Sequence, residues 1–155
     1  MNIRFEEVTQ DVLDLLSEIK GEYFPSLRNV DIKVLFDLKK RQSGGKLILG
    51  RCQKSNDLIK YLTLEEAEEG IPYIIYLDKC VWDNIERIDK IRLLRHELRH
   101  IFIDIDSEKN PYKILPHDIE DFAEEVELNK DDVRWASRVA NLASEIYEQR
   151  RDAEE

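Results

Sequence analysis

Three histidines occur in the 155-residue chain, and two of them lie four residues apart in His96-Glu97-Leu98-Arg99-His100. Residues at i and i+4 share one face of a helix, so His96 and His100 can bind one metal ion together. Glu97 follows the first histidine and can reach a water on that ion. The third histidine, His117, lies 17 residues beyond His100. A catalytic zinc takes three protein ligands and keeps one position for water. The chemistry of such a set is hydrolysis. The ion lowers the pKa of water and polarises a carbonyl, while Glu97 takes the proton and passes it to a leaving amine.

His117 is the expected third ligand, because no other imidazole remains. A glutamate from a downstream helix is the alternative, with Glu120, Glu124 and Glu125 as candidates. Asp104 and Asp118 are candidates to orient ligand imidazoles through their second ring nitrogens. Each could equally be a surface carboxylate or a helix-start acid.

The motif must be held by a helix. Residues 86–104 contain no proline or glycine, and at about 100° per residue they divide into three faces. Ile91, Leu94, Leu98, Ile101 and Ile105 form an apolar stripe with Phe102 beside it. His96 and His100 lie away from that stripe. Arg92, Arg95 and Arg99 form a basic ridge, expected to be solvated and paired with acidic helices.

The other elements follow from periodicity. Residues 5–22 carry apolar side chains at helical spacing, and Pro25 stops them. Residues 30–39 alternate as a half-buried strand, Ser43-Gly44-Gly45 turns, and residues 46–53 return as a hairpin partner. Asn56 caps a helix running to about residue 69, broken by Gly70. Tyr73-Ile74-Ile75-Tyr76-Leu77 is continuously apolar, which predicts a strand buried on both faces. After the motif, residues 112–115 are extended and Pro116-His117-Asp118 opens a helix to about residue 128. A last helix, capped by Asp131 or Asp132, carries Trp135, Val139, Leu142 and Ile146. The expected fold is therefore α+β: a small antiparallel or mixed sheet of about three strands with helices packed around it, in one domain over residues 1–155.

Composition limits the function. The net charge is −10, and residues 117–155 hold 13 acidic and 5 basic side chains, a net of −8. That disfavours nucleic-acid binding. No apolar run is long enough to span a membrane, and the N-terminus lacks the apolar stretch of a signal peptide. Two cysteines, Cys52 and Cys80, make neither a disulfide framework nor a C-x-x-C metal pair. A cytoplasmic protein with reduced thiols is expected.

The motif and its surroundings resemble a known family. His96-Glu97-Leu98-Arg99-His100, then His117-Asp118-Ile119-Glu120-Asp121-Phe122, with the strand at 73–78 and Val81-Trp82 before the motif, resemble the phage metallopeptidases. These are small zincin-like domains related in layout to SprT/Spartan-like proteases. The resemblance covers about residues 30–128. It implies His96, His100 and His117 as zinc ligands and Glu97 as catalytic acid/base. Asp118 stands where SprT-like proteins typically have glycine. Met1 is the only methionine, so the Met-turn of metzincins is absent. The expected function is a zinc metallopeptidase acting on a peptide or protein substrate, which would lie as a strand along an exposed sheet edge. The rival is a non-catalytic, zinc-stabilised protein-interaction module, against which an acid at Glu97 argues.

Overall fold

The computed structural model describes residues 3–116 and 123–154, with backbone only for Ala123 and residues 152–154. In chain order the elements are β1 (Phe5–Glu7), α1 (Gln10–Tyr23), β2 (Ile32–Asp37), β3 (Gln42–Ser43), β4 (Lys46–Leu47), β5 (Gly50–Lys54) and α2 (Asp57–Leu62). They continue with β6 (Tyr73–Asp78), α3 (Lys79–Asp83), α4 (Arg87–Leu98), β7 (Ile101–Ile103), β8 (Tyr112–Ile114), α5 (Ala123–Leu128) and α6 (Trp135–Glu154). The fold is α+β, and its main sheet is mixed.

That sheet has four strands in the order β1-β2-β6-β5. β2 runs parallel to β6, while β1 and β5 are antiparallel to their neighbours. The expected hairpin between residues 30–39 and 46–53 is not formed. Only the two-residue strands β3 and β4 pair around Gly44-Gly45, and β6 separates β2 from β5. The reason lies in β6 itself. Its apolar run needs cover on both faces, which a central position supplies; Tyr73, Ile75 and Leu77 are fully buried there. The sheet gains its fourth strand from Phe5–Glu7, which the helical spacing of residues 5–22 had assigned to the first helix. α1 begins only at Gln10 and buries Val12, Leu15, Leu16 and Ile19.

The caps follow the side-chain chemistry. Asn56 Oδ1 accepts from the Ile59 amide at 2.8 Å, as expected for an N-cap. α2 ends at Leu62, well short of residue 69, and turns lead to Gly70 at φ 81°. Asp78, at the end of β6, accepts from the Val81 amide at 2.9 Å and starts α3. Pairing β6 directly to α3 and then α4 keeps the motif helix against the sheet. In α6 the buried stripe is Trp135, Val139 and Ala143, with Leu142 exposed. Among the described residues, no helix is long and apolar enough to cross a membrane.

The motif helix is shorter than its spacing implied. α4 ends at Leu98, and residues 101–103 form β7 instead. Ile101, Phe102 and Ile103 are β-branched or aromatic and pair with β8, which outweighs continued helix. The Tyr73 hydroxyl donates to the carbonyls of Lys113 (2.9 Å) and Phe102 (3.2 Å), fastening this hairpin to the start of β6. Leu94, Leu98 and Ile101 are buried as expected, but Phe102 and Ile105, beyond the helix, are exposed.

Candidate active site

The last turn of α4 brings three side chains of the motif to one place. Glu97 is buried, at 4% exposure, while His96 and His100 keep part of their surface open. The two imidazole rings stand edge to face, with centroids 5.4 Å apart. His100 lies just past the helix, where its amide donates to the Glu97 carbonyl at 3.2 Å.

His100 is held by backbone. Its Nδ1 lies 2.7 Å from the Leu115 carbonyl oxygen, and the Leu115 amide donates to the His100 carbonyl. A carbonyl only accepts, so Nδ1 carries the proton, and the lone pair of the neutral ring is on Nε2. Fixing an imidazole this way is how ligand histidines are commonly oriented. Asp104 had been expected as an orienting carboxylate. It falls in the turn after β7, where its Oδ1 accepts from the Asp106 amide at 3.2 Å; at His100 the bond belongs to Leu115. Asp118, the other expected orienting residue, lies outside the described residues, as do His117 and Glu120.

The floor of the site is β5. A Cβ built on Gly50 would stand 3.6 Å from Glu97 Oε1, so the start of this edge strand lies against the carboxylate. Burial pushes the Glu97 carboxyl up to about 7, against the opposing pull of His96 and Arg51. A carboxyl in that range can both take and release a proton at neutral pH. Cys52, on the same strand, is buried, and burial together with the charge of Glu97 pushes its thiol far up. It is therefore a neutral packing residue and no nucleophile.

The arginine ridge is paired with acidic residues but is not solvated. Arg92 and Arg95 are 3% and 4% exposed. Arg92 bonds Asp89 and Asp131 at 2.9 and 2.7 Å. Arg95 Nε donates to Glu125 Oε1 at 3.0 Å, and Arg99 Nε to Glu125 Oε2 at 3.1 Å. Both oxygens of the fully buried Glu125 are thus engaged by arginine, and Glu124 faces Arg99 at 3.2 Å from an exposed position. Glu125 and Glu124 are thus both paired with arginine in this structure. Among the described residues, no third His, Cys, Asp or Glu joins His96 and His100 in a group that could hold a metal.

Three contributors were not found by reading the sequence: Gly50, the Leu115 carbonyl and Glu125 as a partner of arginine. Gly50 and Leu115 act through a missing side chain and a main-chain oxygen, which leave no signal in residue type. For Glu125 a signal existed. Arg95 and Arg99 repeat the spacing of the histidines one residue earlier, so they required a buried acid on an adjacent helix.

No curated protein and no solved structure matches the chain. The family described as "Putative phage metallopeptidase" matches residues 3–147, nearly the full length, and the chain belongs to that family.

Proposed function

We propose that the chain is a zinc-dependent peptidase with a zincin-like fold. Its ligands are His96, His100 and His117, and its general acid/base is Glu97. The observation that carries this reading is the buried Glu97 carboxyl beside two partly open imidazoles, one of them oriented by a main-chain carbonyl. The donor set suits the ion, since two neutral nitrogens on one turn are borderline-soft ligands of the kind zinc takes. When bound, zinc would supply Lewis acidity, polarising the scissile carbonyl and making water acidic enough to attack near neutral pH.

The remaining work belongs to the chain. Glu97 takes a proton from the attacking water and delivers it to the amide nitrogen as the C–N bond breaks, leaving one new carboxylate and one new amine. Burial raises its carboxyl above the ordinary glutamate range, which favours a group able to hold the proton between the two transfers. β5 is the edge of the main sheet, with its Gly50 end beside Glu97. An extended peptide pairing with that edge would bring a backbone amide past the carboxylate. Such a substrate is a peptide or an unfolded stretch of protein.

Metal content tests the reading. Elemental analysis should find about one zinc per wild-type chain, and much less in His96→Ala, His100→Ala and His117→Ala. Glu120→Gln should keep it. Wild-type zinc in His100→Ala would overturn the ligand assignment, and loss in Glu120→Gln with retention in His117→Ala would move the third ligand to Glu120.

A further inference from the structure

The geometry points to Glu125 as a positioning residue for the histidine-bearing turn: its buried carboxylate, gripped by Arg95 and Arg99, sets where His96 and His100 stand, so that metal loading and docking of α5 strengthen each other. This rests on the zinc reading given above. Arg95 and Arg99 are spaced like His96 and His100 and precede them by one residue, hence lie about 100° away round the same turn. Whatever fixes the arginines fixes the azimuth of the histidines.

The arginines are held on every side. Glu125 supplies one oxygen to each Nε. Arg95 Nη2 also donates to Asn129 Oδ1 at 2.6 Å, just beyond α5. On the opposite flank the Arg95 guanidinium lies over the Tyr23 ring at 4.9 Å, and that of Arg99 over the Phe24 ring at 4.6 Å. The end of α1, the last turn of α4 and α5 therefore close on two guanidiniums, with Glu125 at the centre. A fully buried carboxylate between two cations is costly to break, since either loss leaves a charge out of water without its partner. Arg99 is also the C-terminal residue of the helical turn, and its amide donates to the Arg95 carbonyl at 3.0 Å. The device thus acts one residue from each imidazole.

Coupling follows by linkage. If α5 docking favours the arrangement that binds metal, metal must favour α5 docking by the same factor. The test uses the full chain, stripped of metal and titrated with zinc against a chromophoric chelator. Glu125→Gln keeps shape but removes the charge, and is expected to weaken zinc by up to about tenfold, the lower end of the loss seen when a direct partner of a ligand histidine is removed, since Glu125 acts through the two arginines. Arg99→Lys keeps the charge but loses the fork and the Phe24 stack, and should weaken zinc in the same direction; it carries the test if Glu125→Gln does not fold. Val34→Ala, a cavity in the buried part of β2, provides equal loosening elsewhere and should leave zinc affinity unchanged. In the wild type, zinc should also slow hydrogen exchange in α5, and in Glu125→Gln this slowing should shrink. Unchanged affinity in the folded variants, or equal weakening in Val34→Ala, overturns the inference while leaving the zinc site intact. A wild type that binds no zinc overturns the functional reading and this inference with it.

Discussion

Gly50 gives the sharpest perturbation, because a methyl group there would enter the contact between the edge strand and Glu97. The added Cβ of Gly50→Ala would stand 3.2 Å from the Tyr76 carbonyl oxygen, 3.3 Å from Leu77 Cδ2 and 3.6 Å from Glu97 Oε1. Leu77 can yield by rotating a terminal methyl. The Tyr76 carbonyl belongs to the central strand and cannot, so β5 must shift outward by a few tenths of an ångström. Overpacking of this kind costs about 1–3 kcal/mol. The narrower backbone freedom of alanine in the unfolded chain offsets about 0.4–1 kcal/mol of it. The net is a loss of about 1 kcal/mol, or about 2–4 °C in melting temperature for a chain of this size. Catalysis should suffer more, since small misplacements of a reacting group are expensive: about tenfold in kcat with zinc content unchanged. Gly50→Val adds two further methyl groups to the same crowded position and should lose more of both. Thermal melts, elemental analysis and cleavage of a peptide library read by mass spectrometry check this. Gly50→Ala with wild-type melting and wild-type turnover would refute the reading that the close approach of β5 to the Tyr76 carbonyl and its contact with Glu97 leave no room for a side chain.

Two further outcomes follow from the surrounding structure. Gly70 has φ 81°, and a side chain there would run into the Lys60 backbone, so Gly70→Ala should destabilise by about 3 kcal/mol or more and loosen α2, measured by denaturant unfolding. Asp89 is desolvated, which raises its pKa, but hydrogen bonds from Arg138 and Arg92 outweigh this and hold it below the ordinary value. A depressed native pKa contributes stability that is present above the unfolded value of about 3.9 and is lost as pH falls through the native one. Asp89→Asn should therefore cost about 3 kcal/mol near neutral pH, leaving the buried Arg92 short of a partner, and should flatten the acid limb of the stability curve below about pH 4. A variant whose acid limb is as steep as the wild type's would refute the assignment to Asp89.

The placement of His96, Glu97 and His100 together at the end of one helix was legible, because i, i+4 spacing alone brings them to one face. The buried character of Tyr73–Asp78, the Asn56 cap and the extended segment at 112–115 were legible for the same reason: each is a local property. What failed was partner choice and extent. Residues 46–53 alternate well enough for a hairpin, but β6 competes for the same edge of β2 and wins through its two-sided burial. Residues 101–103 fit the helical stripe of the motif and also fit a strand, and β8, remote in sequence, decided for the strand. For the arginine ridge the acidic character of the partners is legible, but neither Glu125 as the partner nor the burial of Arg92 and Arg95 is. Arg95 is buried and Arg99 partly buried with Tyr23 and Phe24 against their guanidiniums, a contact between chain segments more than 70 residues apart.

The central claim, a peptidase working through Glu97, is tested most directly by Glu97→Gln measured beside the wild type on a proteome-derived peptide library, with zinc content determined for both. The account predicts equal zinc, an unchanged fold and a fall in cleavage of about 10²–10⁴ or more, because glutamine keeps the shape but cannot take the proton. Cleavage that persists in Glu97→Gln at the wild-type rate would contradict it, as would a zinc-loaded wild type that cleaves nothing across the library.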